Sequence, residues 1–485
     1  MYKRPPKHIE RAKLTILYSI MTLSVVMVVI LLVMVVGNYS YNRATGTFEQ
    51  RGLVQLASIP SGAAVEIDDN LLSSRTSTKT PVEPGERNFK FMRDGYEPWE
   101  LTTNISDGSL VWLNYARLVP IERPVQTMYQ YKSVQAAKVS PNNRLILTQP
   151  DKTKPVFRLI DISHDVPVGF NIELPITVFS SDGSAKEDDP KATYTLAEWD
   201  ESSRYALVWR TVGKDRQLVV LNVNNPTQSV NVTQEFSMPI TAAQFAGRSG
   251  NMLYVKIDGS VRKLDVSDGT VTRSLIGGVD SFALRDNSTL TYVSEPDAET
   301  GSRTAGVYRD GDSAPTVLKT VLDESKAVSL SVNSYYGNTY TVIAEGDKFE
   351  VYRGDLDQGL SGLNLIASRT LDKPISSVEF NTSGSHILVR AGESFASYDI
   401  DRNLVTESKL EDGSSKDFFW LDAHHIGLLV DGNLIMRDLD GTNIHTLNTA
   451  KNLAAGLSRN GTYMYSFGDG DDGQVALQRI RMILR

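Results

Sequence analysis

The chain of 485 residues contains no cysteine and only six histidines. The first absence removes disulfides, iron–sulfur clusters, thiol nucleophiles and cysteine-bound zinc together. It leaves the compartment open, because cysteine-free chains occur on either side of a membrane. The histidines, His8, His164, His386, His424, His425 and His445, are too few and too scattered for an obvious metal cluster. Excess basic charge is lacking as well. A net charge of −8 argues against a nucleic-acid partner, whose phosphates call for clustered Lys and Arg. No G-x-S-x-G, Walker loop, dinucleotide fingerprint or H-E-x-x-H occurs. No catalytic, cofactor-binding or metal-binding residue is therefore assigned, no cofactor is expected, and the ligand-binding residues stay unknown.

What is present begins with an asymmetric N-terminus. Residues 1–13 hold Lys3, Arg4, Lys7, Arg11 and Lys13 against Glu10, a basic tip on an acidic body. Leu14 to Val36 then runs 23 residues without a charge. As a helix this would be roughly 35 Å long, enough to cross a hydrocarbon core of about 30 Å. A buried core helix would carry a polar stripe, and only scattered Thr15, Tyr18, Ser19, Thr22 and Ser24 are found. A cleavable signal peptide has a shorter apolar region and a small-residue cleavage site, which VVGN is not. A retained transmembrane helix over 14–36 is expected. Only Arg43 and Arg51 follow it closely, so the positive-inside rule puts 1–13 in the cytoplasm and the bulk outside.

After a polar spacer, 37–51, residues 52–119 switch to short alternating runs, the pattern of strands. GLVQLASIP, AAVEID, NFKFM, WELTTNI and LVWLNYARL read as strands, with Val65, Ile67, Phe89 and Phe91 facing one way. TPVEPGER and RDGYEPW between them read as chain reversals. Ser58, Pro60, Gly62, Ala63, Val65, Thr80, Pro81, Pro84, Gly85, Gly95 and Tyr96 follow one another in an order that resembles the PEGA domain. That resemblance implies a small β-sandwich acting as a spacer or adhesive module rather than a catalyst. The sequence departs from the family at IDDNLLSSRTS, where an aspartate–glycine hairpin is usual. A nucleophilic role for Ser61 would need a base, and this stretch has no histidine, so a structural turn is the simpler reading.

VPIERPVQ reads as a linker, and residues 121–485 repeat a unit: an apolar strand end, a five-residue polar turn, and further apolar strands. The units are V-SPNNR-LIL, W-DESSR-YALV, F-AGRSG-NMLYV, L-RDNST-LTYV, N-SYYGN-TYTV, F-NTSGS-HILV, W-LDAHH-IGLLV and L-SRNGT-YMYSF. In the fifth, Asn333 breaks the apolar rule, and a bulge putting Val332 in its place is expected. RLIDI, VLNV, KLDV, SYDID and MRDLD repeat as a later strand. Successive units start 37 to 60 residues apart, the longest step absorbing the acidic insert SDGSAKEDDPKA. Spacing of this order implies four-stranded propeller blades, eight being favoured and seven the alternative. The last unit lacks a strand, which Val125 to Tyr131 would supply to close the ring. The units resemble WD40-like propellers of the TolB kind, SPNN at Ser140 to Asn143 coming closest to that family's turn.

Several residues invite a sharper reading. His424 and His425 are adjacent, but zinc wants three or four ligands, and neighbours on an extended strand point to opposite faces. Turn residues are the simpler account. Asp469, Asp471 and Asp472 lie in a glycine-rich loop, without the order of a calcium loop; an ordinary hairpin turn fits. Trp199 and Trp420 share a repeat position with Val139, Phe245 and Phe380, so packing is expected rather than sugar stacking. The sequons at Asn104 and Asn460 carry little weight.

The expectation is an all-β, extracytoplasmic, non-enzymatic protein of a bacterial cell envelope. Its partners would be the cell membrane through 14–36, and an envelope protein or a surface or wall glycan through the propeller. The alternative is a propeller-based envelope enzyme, a glycan lyase, hydrolase or peptidase, with acids or histidines converging at the channel mouth.

Overall fold

The computed structural model describes residues 7–37, 39–42, 46–180, 189–247, 249–285, 288–323, 325–410, 413–452 and 454–484. The first six residues of the basic tail, Arg43, and most of the acidic insert (181–188) lie outside these. So do Arg248 and residues 286–287 of two repeat turns. The chain divides into two units, Met1–Glu122 and Arg123–Arg485.

The first unit opens with an α-helix, Lys7–Val36. Its stretch Arg11–Val36 is long and apolar enough to cross a membrane, and none of its most apolar part is buried by the protein. A helix bonds its own backbone groups, which is the requirement for life in hydrocarbon. The spacer is not featureless: Tyr39–Asn42 and Thr47–Gln50 pair as a hairpin, with the Tyr41 and Phe48 rings 5.3 Å apart.

Two sheets follow. One has the order Thr78–Val82, Gly52–Ile59, Leu110–Arg117, the last two strands running parallel. The other has the order Asn70–Leu71, Ala64–Ile67, Gly85–Met92, Trp99–Ile105. Gly52–Ile59 alternates buried and half-buried residues, sending Val54 and Leu56 inward. Val65, Phe89 and Phe91 are fully buried from the other sheet. Trp99 meets Phe91 edge-on at 5.0 Å and Tyr115 of the first sheet at 5.6 Å, so the two sheets share a core.

One expectation is corrected here. TPVEPGER is not purely a reversal, since Thr78–Val82 is an edge strand paired with Gly52–Leu56. Pro81 is tolerated because an edge strand has one side free of ladder bonds. The departure at IDDN is a tight hairpin. Asp68 and Asp69 both take positive φ, 49° and 65°, as a two-residue primed turn demands. Asp68 adapts by accepting from Asn88 N and Arg87 Nη1, each at 2.9 Å.

Among the described residues the second unit contains eight four-stranded antiparallel sheets. Seven use consecutive strands: 136–173, 193–231, 240–271, 279–321, 328–370, 375–409 and 414–449. The eighth joins Gly456–Leu457, Tyr463–Asp469 and Val475–Arg481 to Gln126–Tyr131 from the start of the unit. Each sheet buries apolar residues against the next. Phe157 and Leu147 of the first pack with Tyr194, Trp199 and Val208 of the second. Tyr131, Tyr465 and Phe467 of the eighth pack with Ile146 and Ile160 of the first. The arrangement is propeller-like.

In four of the sheets the polar turn between the first two strands is built by one side chain. Ser140, Asp200, Asn381 and Ser458 are almost fully buried. Their side-chain oxygens accept from the backbone N of Leu145, Tyr205, His386 and Tyr463 respectively, at 2.8–3.1 Å. The residue three positions on takes positive φ, as at Asn143, Ser203, Gly384 and Gly461. A buried oxygen thus replaces the ladder bond that the turn interrupts. The fifth sheet differs from expectation. Val328–Tyr335 pairs with Asn338–Glu345 without a register shift. No bulge is needed; Val332 is buried by the regular pleat, and the reversal is the tight Tyr336–Gly337 turn.

Candidate functional site

The turns between first and second strands, and those between third and fourth strands, lie at the same end of each sheet. Two features at this end depart from simple packing. The first is an open cleft of about 190 Å³ whose lining includes Glu198, Glu201, Gln244 and Arg285, from the second to fourth sheets. Glu198 Oε1 accepts from Phe245 N at 2.8 Å, and Gln244 Oε1 accepts from Leu284 N at 2.6 Å. The same repeat position therefore stitches two successive seams. Burial pushes the Glu198 carboxyl above the ordinary carboxylate range, with Phe245 N and Lys138 opposing. Arg285 Nη2 reaches Asn333 Oδ1 at 3.3 Å. The cleft can offer hydrogen bonds and charges of both signs to a ligand.

The second feature is a line of titratable groups along the seam between the sixth and seventh sheets. His425, 1% exposed, has Nδ1 2.7 Å from Asp422 Oδ1 and Nε2 3.1 Å from Asp438 Oδ1. Burial works against its charge, and the two carboxylates outweigh it, pushing its pKa up to about 9. His424 beside it behaves oppositely. Burial first, then the charges of His386 and His425, lower it to about 4. The His386 and His424 rings meet edge-on at 5.2 Å, and His386 Nε2 lies 3.6 Å from Asp399 Oδ2.

Sequence reasoning placed His424 and His425 in a turn, on opposite faces. The structure keeps His424 in the turn and starts a strand at His425, where the side chain enters the core. The signal that would have found the pairing is spacing. His386 and Asp399, like His425 and Asp438, are thirteen residues apart and face each other across a hairpin closed by a two-residue turn.

The other singled-out residues are accounted for individually. Ser61 is exposed, and its carbonyl accepts from Arg93. The signature Ser58 is the buried one, its Oγ 2.7 Å from Thr76 Oγ1 and from Pro60 O. Asp469 pairs with Lys451 at 2.6 Å and Asp471 accepts from Gln130 at 2.6 Å, so the loop's carboxylates are drawn apart. Among the described residues no group of three His, Asp or Glu is placed to hold a metal ion. Trp199 packs between the first two sheets and donates to Lys138 O at 3.1 Å. Trp420 packs between the sixth and seventh and donates to Glu379.

Comparison with known proteins adds the following. Residues 51–120 match the PEGA domain family. No curated protein matches the chain. Among solved structures, Hsv2 of Kluyveromyces lactis is 12% identical with a TM-score of 0.38, covering 60% of this chain and 98% of that one. Dihydro-heme d1 dehydrogenase NirN is 14% identical with a TM-score of 0.42, covering 69% and 71%. PorZ of Porphyromonas gingivalis, a surface component of the type-IX secretion system, is 13% identical with a TM-score of 0.38, covering 71% and 43%. These neighbours are β-propeller proteins, although with scores below 0.5 it is the sheet pairing that carries the fold. The chain holds an apolar N-terminal helix, a PEGA domain and a propeller-like array of sheets.

Proposed function

We propose that this chain is a membrane-anchored, extracytoplasmic binding or scaffold protein. Helix 14–36 anchors it with residues 1–13 in the cytoplasm, the PEGA module, a small sandwich, spaces it, and a closed eight-bladed propeller presents its turn-bearing end. The observation that carries the reading is the build of that end. Repeated turns pinned by buried Ser140, Asp200, Asn381 and Ser458 make a rigid platform, and loops held on such a scaffold are where binding residues concentrate. Eight blades are favoured because Gln126–Tyr131 completes the last sheet and the apolar seam between eighth and first sheets joins the two ends of the array. The partner is another envelope protein or an envelope glycan.

Proximity crosslinking of the anchored protein in its native cells tests this. Repeated recovery of one envelope partner, lost when turn residues are changed, supports it. Recovery of none, together with glycan or peptide turnover by the purified protein, overturns it. A second reading has one observation in its favour. Desolvated Glu198, in a cleft with Glu201 and Arg285, suits a general acid of an envelope enzyme. Under that reading Glu198→Gln abolishes turnover; under the binding reading there is none to abolish.

A further inference from the structure

The hairpin between the apolar helix and the PEGA domain is amphipathic in an inverted sense. Its register sets Tyr39 opposite Gln50, Ser40 opposite Glu49 and Tyr41 opposite Phe48. Side chains alternate along a strand, so Tyr39, Tyr41, Phe48 and Gln50 share one face, and Ser40, Thr47 and Glu49 share the other. A sheet in water covers its apolar face and leaves its polar one to solvent. Here Tyr39, Tyr41 and Phe48 are 44, 56 and 56% exposed, while Ser40 and Glu49 of the polar face are half-buried. The Tyr41 and Phe48 rings lie 5.3 Å apart, so the exposed aromatics form one patch rather than scattered contacts.

The patch is held at the end of the helix. Gly37 N donates to Val33 O at 2.8 Å, continuing the helical bonding past Val36. The Tyr39 ring lies against Gly37 so closely that a Cβ there would meet it at 2.8 and 2.9 Å. Glycine is what lets the ring fold back over the helix terminus. Three residues separate Val36 from Tyr39, a reach of about 10 Å at most. The headgroup layer on each side of a hydrocarbon core is itself about 5–8 Å deep. A helix that spans therefore delivers this face into the layer between hydrocarbon and water. The other end is tied down as well, because Gly108 N, in the turn before Leu110–Arg117, donates to Gln50 O at 3.1 Å.

We propose that the Tyr39–Tyr41–Phe48 face is a lipid-binding surface that lies in the headgroup layer of the membrane. The chemistry fits that occupant. Tyrosine carries an apolar ring and a polar tip, which suits it to a boundary where one end is dry and the other wet, and Phe48 adds apolar area between them. With this face on lipid, Ser40, Thr47 and Glu49 point back toward water. The segment 37–51 is then a docked foot that fixes the Gly108 turn of the PEGA domain close to the bilayer, and not a free tether. The inference rests on the reading of helix 14–36 as a retained anchor.

The test uses the full chain in phosphatidylcholine nanodiscs. Because the chain has no cysteine, Met27→Cys, Ser40→Cys, Tyr41→Cys, Thr47→Cys and Phe48→Cys each give one site for a nitroxide label. Electron paramagnetic resonance then reads collisions with oxygen, which concentrates in lipid, and with a water-soluble nickel chelate. The oxygen-to-nickel ratio should be several-fold higher at positions 41 and 48 than at 40 and 47, and highest at 27. Adding Tyr39→Ser and Phe48→Ser should lower the ratio at position 41 several-fold. Ratios at 41 and 48 no higher than at 40 and 47 would overturn the proposal, as would equally lipid-like ratios at all four. Shielding of 41 and 48 from both reagents would also overturn it, because protein would then cover the face. A lipid-like ratio at 27 with water-like ratios at 41 and 48 defeats this inference and leaves the anchor standing. A water-like ratio at 27 defeats the anchor itself.

Discussion

The seam between the first and second sheets and the seam between the sixth and seventh are versions of one design. In the first, Leu147, Phe157, Tyr194 and Val208 close an apolar interface. Asp161 and Asn222, at the ends of the third strands, are spent on their own turns, accepting from Ser163 N and Asn224 N at 2.8 and 3.1 Å. In the second, Asp438 is turned inward to an imidazole, and Asp440 takes over the turn, accepting from Thr442 N at 2.9 Å. The lesson is that a repeat fixes positions and not chemistry. The same hairpin geometry places an apolar contact in one seam and a buried ion triad in another.

The contrast can be broken most sharply by two truncations of similar size. Phe157→Ala should cost about 3–5 kcal/mol, with the same loss of thermal midpoint at pH 6.5 and pH 9.5. Asp438→Ala should also cost about 3–5 kcal/mol near pH 6.5, because it leaves a buried imidazolium with one partner, but distinctly less at pH 9.5. Equal pH dependence in the two variants would mean that the triad is not ionised.

The pKa of His425 rises on folding to about 9, so its contribution is full below about pH 6.5 and fades as pH climbs through 9. The pKa of His424 falls to about 4, so its contribution is present above about 6.5 and is lost as pH drops through 4. Their sum peaks close to pH 6.5, and a thermal-midpoint profile from pH 4 to 9.5 should show that maximum in the unaltered protein. His425→Leu should remove the alkaline limb and, because the His425 charge helps to hold down the pKa of its neighbour His424, also shrink the acid limb.

Smaller effects sharpen the turn comparison. Asp200→Ala deprives the backbone N of Arg204 and Tyr205 of their acceptor and should cost about 1–3 kcal/mol, read as a drop in the denaturation midpoint. Tyr336 is 83% exposed and holds a φ of 46°, which a residue with a large side chain adopts at a cost. Tyr336→Asn should stabilise by roughly 0.5–1 kcal/mol. The Tyr336 ring lies 4.5 Å from that of Tyr335, and a destabilisation would show that this aromatic pair outweighs the backbone strain.

Much of this fold was legible because local chemistry announces it. Alternation exposed the strands of the PEGA domain, and the polar pentapeptides marked the repeat, since in four units a buried Ser, Asp or Asn follows the first strand and satisfies the turn. Thr78–Val82 was missed because Pro81 and alternating polar residues mimic a reversal, and only pairing with Gly52–Leu56 makes it a strand. The hairpin in the spacer was hidden by its polarity. The His–Asp seam was missed for a different reason. Each histidine looks like a turn residue until cross-strand register and the neighbouring sheet are both known, and the second of these is long-range. The cleft at Glu198 was equally illegible, because its walls come from three sheets.

The proposed placement of the sheets outside the cytoplasm on a retained anchor can be tested through the absence of cysteine. A chain without cysteine accepts single reporter thiols cleanly. Tyr336→Cys, on an exposed turn of the fifth sheet, and His8→Cys, in the first turn of the helix ahead of its apolar stretch Arg11–Val36, can each be treated in intact cells with a membrane-impermeant maleimide. The account predicts labelling of Tyr336→Cys in intact cells, on a chain that remains membrane-bound at full length, and of His8→Cys only after lysis. Labelling of neither before lysis, the reverse pattern, or a labelled chain shortened at its N-terminus and released from the membrane would contradict it.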